Sequence, residues 1–394
     1  MQIWNGGTVP RLVSNSDAAA LLDLARKFGA EQLTPIADTC EEDGLFPREL
    51  ISTLGELGLL NLPFAHVRDA DMEPVGVSTN LQILEELATA WMTVGLALSV
   101  HQLAASALVK FGSQDQKDLW LDWVIGGNTL GAYCLSEPHS GSDAAALRTT
   151  AVREGLQYRL NGVKAWITHA GVADFYIVMA RTSEHKTQGI SCFFVPADTP
   201  GLTFGAHERK MGGNASPTAQ VHLDNVLIPE IHRIGVEGQG LAIALSSLDM
   251  GRLGISACAV GLAQSALNTA GKYAGEREQF GQAIANFQGV GFMLADMATS
   301  IAASRALYLD AAFRVEIGAH GGIGAAAAMS KLMATDSAMK VTTDAVQVLG
   351  GNGYTKDYPV ERYMREAKVL QIVEGTNQIQ RLVISRSLQS EAGE

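Results

Sequence analysis

The stretch QYRLNGVKAWITHA at residues 157–170 decides the fold class, because it departs from the helical periodicity on either side of it. Tyr158 and Leu160 alternate with Arg159 and Asn161, which is the period-two pattern of a strand with one buried face. Three further segments follow, separated by Gly, Asn-Gly or Pro: DFYIVMART, GISCFFVPAD and TAQVHLDNVLIP. Short strands joined by such turns predict an antiparallel β domain over residues 130–237.

Helical patterns flank this segment on both sides. Upstream, Ser16 and Ser113 offer N-caps to apolar-periodic runs, and residues 91–109 form an uncharged stretch that we interpret as a buried helix, not a membrane span. Downstream, long Ala- and Leu-rich runs predict a helical bundle interrupted by a glycine-rich turn at 350–353. The predicted fold is therefore mainly α with a central antiparallel β domain. Its predicted domains are an N-terminal helical domain at 1–129, the β domain at 130–237 and a C-terminal helical domain at 238–394.

Composition and charge exclude several classes of function. The formal net charge of −12 argues against a nucleic-acid partner, because binding to a phosphate backbone needs a basic face. The 4 cysteines are widely spaced, which indicates neither a disulfide framework nor a zinc site and suits a reducing compartment. The histidines are scattered, so no metal site is predicted, and neither a hydrolase elbow nor a Walker loop is present. The N-terminus shows no secretory or transit signal, so a cytoplasmic location is expected.

Three polar clusters lie where predicted elements end, and each also has an ordinary structural explanation. YCLSEPHSGSD at 133–143 could hold a planar ring edge and a thioester, or it could be a capped turn. KAWIT at 164–168 could place an aromatic face and a hydroxyl against a flat cofactor, or it could be a buried strand. QVLGGNGY at 347–354 could bring the backbone close to a phosphate, or it could simply end a helix. Only the combination and order of the clusters are specific.

The segment QIVEGTNQIQR at 371–381 contains the strongest candidate for catalysis. Glu374 follows the apolar pair Ile372 and Val373 and precedes Gly375, where one helix has to stop before the next begins. A carboxylate at such a place is either a solvated loop residue or a base held in an apolar pocket. Loss of solvent makes a carboxylate more basic, which is what removal of a weakly acidic proton requires.

These segments, together with LDMGRLGISA at 248–257 and REQFGQAI at 277–284, resemble the motifs of the acyl-CoA dehydrogenase family in order and spacing. The likeness covers residues 15–390. It implies an acyl-CoA dehydrogenase-like architecture of a helical domain, a β domain and a C-terminal four-helix bundle. It also implies a homotetramer built from dimers, with FAD bound where domains and subunits meet. The implied reaction is the FAD-dependent oxidation of an acyl-CoA to the trans-2-enoyl-CoA, with an electron-transferring flavoprotein as the electron acceptor.

The resemblance also assigns roles to individual residues. Glu374 becomes the catalytic base that abstracts the α-proton, while a β-hydride passes to the flavin. The thioester oxygen is expected to accept hydrogen bonds from the backbone amide of the base and from a ribityl hydroxyl of FAD. Contacts with FAD are implied for Tyr133, Leu135, Ser136, Gly141, Ser142, Trp166, Ile167, Thr168, Arg277, Phe280, Gln288, Gln347, Gly350, Gly351, Thr376 and Gln378. Contacts with the acyl-CoA are implied for Ser142, Asp249, Arg252, Gly375 and Arg386. Five of these residues are expected to contact the FAD of the neighbouring subunit: Arg277, Gln288, Gln347, Gly350 and Gly351.

Within the family, VEGTN at 373–377, LDMGR at 248–252 and KDYPVERYMRE at 356–366 are similar to short-chain and short branched-chain members. The segments at 99–105 and 132–147 are similar to isobutyryl-CoA dehydrogenases in particular. Catabolism of a branched-chain amino acid is therefore expected ahead of straight-chain fatty-acid oxidation. Val373 departs from the pattern, because many members have Tyr there, and it could shift the preference for chain length or branching in either direction. His139 stands where a small residue is usual, and we interpret it as a solvated surface group.

Three other functions stay open on the sequence. An acyl-CoA oxidase would share the motifs but let oxygen react with the reduced flavin, and it would release peroxide. A DNA-associated flavoprotein of the same fold is disfavoured by the acidic charge and by the lack of a basic extension. The third alternative is a protein that binds acyl-CoA without oxidising it, for which Glu374→Gln would have no measurable effect.

Overall fold

The computed structural model describes residues 12–13, 15–64, 67, 75–319 and 322–391. The chain passes from helices to a β-sheet and back to helices, which confirms the predicted fold class. The outer limits of the predicted domains, residues 1 and 394, lie outside the described part of the chain. The N-terminal helices are α1 (Ser16–Phe28), α2 (Ala37–Asp43), α3 (Arg48–Glu56), α4 (Val77–Ala90), α5 (Met92–Phe111) and α6 (Gln114–Ile125).

The central sheet has the strand order β6-β7-β3-β2-β4-β5-β8, and β1 lies parallel to β4. It is therefore mixed, whereas the sequence pattern predicts a wholly antiparallel sheet. The reason is that β1 and β2 both run parallel to β4. Strand β3, which lies between β2 and β4 in the sequence, runs antiparallel to β2. The strands are β1 (Gly131–Cys134), β2 (Thr150–Glu154), β3 (Gln157–Thr168), β4 (Phe175–Arg181), β5 (Ile190–Pro196), β6 (Leu202–Phe204), β7 (Thr218–Pro229) and β8 (Arg233–Ile234).

Strand β4 is buried on both faces, unlike the first half of β3. Phe175 and Ile177 pack against α5 and α6 in one apolar cluster, whereas Tyr176 and Val178 lie in a second cluster inside the β domain. A strand buried on both faces has no polar side to alternate with. This explains why its sequence is a continuous apolar run, whereas an alternating pattern was expected for this segment.

The C-terminal helices share one hydrophobic core with the N-terminal helices. Leu84 and Trp91 from the first helical segment pack in the same cluster as Leu253, Tyr308 and Ala338 from the last. The two helical regions therefore pack directly against each other. The C-terminal elements are α7 (Gly240–Glu276), the hairpin β9 (Glu278–Gln279) and β10 (Gln282–Ala283), α8 (Gln288–Glu316), α9 (Ile323–Leu349), α10 (Val360–Leu370) and α11 (Asn377–Glu391).

Two local expectations about helices can be compared with the structure directly. Ser113 caps α6 through a capping box, in which its hydroxyl accepts from the Gln116 amide and the Gln116 side chain accepts from the Ser113 amide. By length and composition α5 and α7 are both able to cross a membrane, but most of each helix is buried inside the protein. The segment at 91–109 is thus the buried helix that its sequence predicts.

Candidate active site

The turn between α10 and α11 carries Glu374 in an unusual backbone conformation. Glu374 has φ +53° and Gly375 has φ +90°, so two successive residues lie in the left-handed region. Both carboxylate oxygens of Glu374 are buried, and neither has a hydrogen-bond partner among the described residues. The backbone N–H of Glu374 likewise donates to no acceptor among the residues that the structure describes. Strain and unpaired buried polar atoms at one residue indicate a functional site.

The electrostatic environment makes Glu374 a stronger base than an ordinary carboxylate. Burial raises the pKa of Glu374 to about 8, while the charges of Lys331 and Arg252 oppose this shift. A carboxylate with this pKa is a suitable general base near neutral pH.

Helix α7 passes directly behind the carboxylate. A Cβ atom at Gly251 would overlap with Oε2 of Glu374, so only glycine leaves room for the base. The next residue, Arg252, is only 6 % exposed and donates from Nη1 to Oδ1 of Asp249 at 2.7 Å. Burial raises the pKa of Asp249, and the charge of Arg252 opposes that shift. The LDMGR motif therefore supplies both the space and the charged pair beside Glu374.

Lys331 on α9 was not identified from the sequence, although it contacts the turn directly. Its ammonium donates to the carbonyl oxygen of Gly375 at 2.9 Å and to Oδ1 of Asn377 at 2.8 Å. Burial lowers the pKa of Lys331 to about 7, and the charges of Glu374 and Asp336 oppose the shift. A signal was present in the sequence, because Lys331 interrupts an Ala-rich, otherwise uncharged helical run at a position where its helix is buried.

The predicted loop at 133–143 begins beside the base. Tyr133 is buried at the end of β1, and burial together with nearby acidic groups, Glu374 among them, raises the pKa of its phenol. Leu135 is also buried, Ser136 is half-buried, and Gly141 and Ser142 are exposed. The structure thus brings Tyr133 and Glu374 together from different domains.

A buried ion pair holds this loop against β3. The Lys164 ammonium lies 2.7 Å from Oε1 of Glu137, and both side chains are almost completely buried. The Glu137 carboxylate also accepts from the backbone amides of Arg148 and Thr149. Although burial alone would raise it, the pKa of Glu137 is lowered by Lys164 and by these hydrogen bonds. His139 lies in the turn above the pair and is exposed, as the sequence suggested.

The KAWIT segment contains an irregularity that turns its aromatic residue outward. The register of β3 against β7 shifts between Lys164 and Ile167, and Trp166 at the shift has φ +62°. Its indole is 63 % exposed, although its neighbours on the strand are buried. Thr168 is half-buried, whereas the Ile167 side chain packs inside the β domain, so only its backbone could contact a ligand on the Trp166 side.

A second group of predicted residues lies at the far end of α7. Arg277 and Phe280 follow this helix, and Phe280 is 94 % exposed with φ +53°. The glycine-rich turn after α9 lies beside the end of α7, because the Asn352 side chain donates to the hydroxyl of Tyr273 on that helix at 2.9 Å. The exposed members of this group are Arg277, Phe280, Gln288, Gln347, Gly350 and Gly351.

The two groups are far apart within one chain. From Gly251 to Glu276 the helix advances by 25 residues, or about 38 Å at 1.5 Å per residue. This distance exceeds the length of one FAD molecule. A single chain therefore does not bring all the predicted cofactor residues together.

The remaining predicted residues belong to the start and the middle of α11. The Thr376 hydroxyl accepts from the backbone amide of Ile379 at 3.3 Å, and Gln378 is exposed in the first turn. Arg386 is exposed nine residues after Asn377, about 14 Å along the helix. It lies within the reach of a long ligand but not beside the carboxylate.

Three family models match the chain in succession. Residues 15–128 match the N-terminal domain of acyl-CoA dehydrogenases, residues 132–226 match the middle domain, and residues 238–389 match the C-terminal domain. Together they include the loop, the LDMGR helix and the turn that contains Glu374.

Individual relatives are similar over nearly their whole length. The chain is 41% identical over 92% of its length to a short-chain specific acyl-CoA dehydrogenase of Clostridium acetobutylicum, and it covers 95% of that protein. It is 39% identical over 96% of its length to the mitochondrial isobutyryl-CoA dehydrogenase of Dictyostelium discoideum, of which it covers 91%. The solved structure of butyryl-CoA dehydrogenase from Megasphaera elsdenii superimposes with a TM-score of 0.93 at 37% identity, covering 96% of this chain and 100% of that one.

Proposed function

Because the chain belongs to the acyl-CoA dehydrogenase family, we propose that it oxidises a short-chain or short branched-chain acyl-CoA to the trans-2-enoyl-CoA with Glu374 as the base. Family membership makes the protein an FAD-dependent oxidoreductase. The observation that carries the assignment of the base is the buried Glu374 carboxylate, whose oxygens have no partner in the described residues.

The proposed base acts on the α-carbon of the thioester. Removal of this weakly acidic proton requires a carboxylate that is poorly solvated, and the raised pKa of Glu374 meets that requirement. Negative charge then develops on the thioester oxygen, where the free backbone N–H of Glu374 would donate a hydrogen bond. The left-handed turn is what makes this N–H and the carboxylate available on the same residue.

The described residues fit FAD at two places. Bound FAD supplies the acceptor for the β-hydride of the substrate. The exposed face of Trp166 and the half-buried Thr168 offer a flat surface and a hydroxyl for its ring system. Further contacts are proposed for the loop residues Tyr133, Leu135, Ser136, Gly141 and Ser142, for the backbone of Ile167, and for Thr376 and Gln378.

The adenosine and diphosphate of FAD are proposed to contact a different subunit. Arg277 offers a cation and lies about 38 Å from Gly251 along α7, and Gly350 offers a closely approaching backbone in the turn after α9. The site is then completed only in a homo-oligomer, which we propose to be a tetramer. Phe280, Gln288, Gln347 and Gly351 belong to the same proposed contact.

The substrate is proposed to extend from Glu374 toward the surface. Gly375 lets the backbone pass close to the ligand, Ser142 is proposed to contact the acyl-CoA from the loop at 133–143, and Asp249 with Arg252 is proposed to position it from α7. Arg386 on α11 is proposed to contact the CoA portion. Val373 beside the base packs against the helical core, and because it is smaller than Tyr it changes the volume available to the acyl group.

An electron-transferring flavoprotein is proposed as the electron acceptor, and the cytoplasm as the location. The family association supports such an acceptor. All four cysteines are free, which suits a reducing compartment.

The first experiment is an anaerobic titration of the FAD-loaded protein with butyryl-, isobutyryl-, isovaleryl- and octanoyl-CoA, following the loss of flavin absorbance. We expect a short or branched thioester to reduce the flavin, and we expect Glu374→Gln to slow this by about 100-fold or more. Glu361→Gln is the matched control, because it alters a carboxylate on α10 that is paired with Arg365. In this variant the acyl-CoA should reduce the flavin at the wild-type rate.

Three results would contradict the proposal. If no thioester bleaches a flavin that dithionite still reduces, the substrate class is wrong. If flavin reduction survives in Glu374→Gln, another group is the base. Release of peroxide during aerobic turnover would indicate an oxidase in place of a dehydrogenase.

A further inference from the structure

His169, which directly follows β3, shares two unusual features with Glu374. Its backbone has φ +69°, in the left-handed region, and the Nε2 atom of its fully buried ring has no hydrogen-bond partner in the described part of the chain. Of the non-glycine residues that the structure describes, only His169 and Glu374 combine a left-handed backbone with an unpaired buried side-chain atom. The criteria that indicate the base therefore also indicate His169.

The ring of His169 is hydrogen-bonded to the first residue of β1. Its Nδ1 atom lies 2.9 Å from the carbonyl oxygen of Gly131, while the amide of Gly131 donates to Nδ1 of His101 on α5 at 2.9 Å. Within the described residues β1 pairs only with β4. Because the N–H and C=O of one strand residue point to the same edge, the two histidines take the place of a strand partner at the open edge of β1.

The proton positions on both rings follow from these contacts. Burial lowers the pKa of His101 to about 3 and the pKa of His169 to about 4, so both rings are neutral near pH 7. Since Nδ1 of His101 accepts from Gly131, its proton is on Nε2, which donates to Oδ1 of Asn61 at 2.6 Å. Since a carbonyl oxygen only accepts, His169 carries its proton on Nδ1 and donates to Gly131.

The bond from His169 to Gly131 connects two segments that carry proposed flavin contacts. His169 follows Thr168, the last residue of the KAWIT segment, and its backbone N–H donates to the Pro217 carbonyl at 2.9 Å. The end of β3 is therefore fixed beside the start of β7. Gly131 begins the strand that leads into the loop at 133–143. The hydrogen bond thus helps to set how the KAWIT segment lies relative to that loop.

On the basis of the proposed function, we propose that His169 is a positioning residue for FAD: by donating to Gly131 it joins β1 to the end of β3, so that the loop at 133–143 and the KAWIT segment form one surface for the flavin ring. The imidazole acts without touching the cofactor, since it is completely buried inside the protein. A side chain without a donor would leave the carbonyl of the buried Gly131 without this partner.

The test compares variants of the FAD-loaded protein at position 169. His169→Phe keeps an aromatic ring beside Phe46 but removes the donor. His169→Asn keeps an N–H donor on a side chain that tolerates positive φ. His232→Phe is the matched control, because Nδ1 of His232 also lies 2.8 Å from a carbonyl oxygen, that of Phe194. This second bond lies beside β8, at the opposite end of the sheet from β3 and β7.

Three measurements are made, and none of them uses an acyl-CoA. The dissociation constant of FAD is obtained from the flavin fluorescence that appears when the loaded protein is diluted. The visible circular dichroism of the flavin that stays bound reports the asymmetric surroundings of its ring. Urea unfolding measures the stability of each variant separately.

We expect His169→Phe to raise the dissociation constant of FAD by about tenfold or more, because a hydrogen bond to a buried carbonyl is lost, and to change the dichroism of the bound flavin. His169→Asn should keep both near the wild-type values, and His232→Phe should lower stability alone.

The proposal is overturned if His169→Phe loses stability but binds FAD with unchanged affinity and unchanged dichroism, because His169 would then have a purely structural role. If His169→Phe does not fold, His169→Gly decides the question, since it removes the donor and suits a left-handed backbone. Failure of the proposed function is distinct, because the flavin of the wild-type protein would then be reduced by no acyl-CoA.

Discussion

At the scale of single residues, the site depends on how closely Glu374 is packed. Its carboxylate lies against the backbone of Gly251, and its own backbone takes a conformation that favours glycine. The same neighbours that remove water from the carboxylate also limit its movement. Position and basicity therefore have one common cause, which is burial at a strained turn.

Gly251→Ala tests this packing. At an uncrowded position in a helix, replacing Gly by Ala stabilises by about 1 kcal/mol, but here the added methyl group would displace the carboxylate. A misplacement of about 1 Å can cost 100-fold, so we expect a loss of that order in the rate of flavin reduction by acyl-CoA. Gly275→Ala is the control on the same helix, because nothing lies near its added methyl group. A wild-type rate in Gly251→Ala would mean that the carboxylate is free to move.

At the scale of elements, the loop at 133–143 and the strand β3 form one unit. Ala165 donates from its backbone to the Ser136 carbonyl at 2.9 Å, and Lys164 joins the same strand to Glu137. The register shift that exposes Trp166 begins directly after Lys164. The buried pair therefore positions both the loop and the aromatic face that we assign to FAD.

Glu137→Gln should weaken both the fold and the cofactor site. It leaves the Lys164 ammonium buried without a counter-charge, which costs about 3 kcal/mol or more. Glu230→Gln is the surface control, because its partner Arg153 is solvated and such pairs contribute about 1 kcal/mol or less. Denaturant unfolding and the FAD content of the purified variants provide the measurements. Equal effects of the two substitutions would contradict the role that we assign to the buried pair.

At the scale of the whole molecule, α7 carries residues of two proposed sites, one beside the base and one for the phosphates of FAD. Gly251 and Arg252 near its start face the base, while Arg277 at its end is exposed and remote. A continuous helix holds these two sets about 38 Å apart. Each chain therefore presents a catalytic half to one cofactor and, in our proposal, a phosphate-binding half to the cofactor of a neighbour.

Mixing of two impaired variants tests this arrangement. Arg277→Gln should bind FAD about tenfold more weakly or worse, because a charge-assisted contact is lost, and Arg159→Gln on the β-domain surface should not. Dissociating and reassociating Arg277→Gln with Glu374→Gln would create sites that have both wild-type residues. We expect such mixtures to reduce flavin faster than either parent. No gain over the parents would mean that Arg277 and Glu374 of one chain contact the same cofactor, which contradicts the proposed arrangement.

Many of these features could be predicted from local sequence. The strand pattern around Tyr158, the cap at Ser113 and the buried helix at 91–109 depend on neighbouring residues, and all three are present in the structure. Motif order was sufficient to recognise the family. Lys331 was missed because the sequence shows only a lysine in a helix, while its role depends on a turn 43 positions later in the chain.

The sequence by itself determined the succession of helices, strands and helices, the family, and Glu374 as the candidate base, because these follow from periodicity and motifs of adjacent residues. Only the tertiary structure decided that α9 fixes the turn of the base, that Gly251 makes room for the carboxylate, and that Arg277 is remote from it. The physical reason is that burial and charge depend on groups distant in the chain. Burial raises the pKa of Glu374, and Lys331 of α9 and Arg252 of α7 oppose the rise, which no local pattern around Glu374 contains.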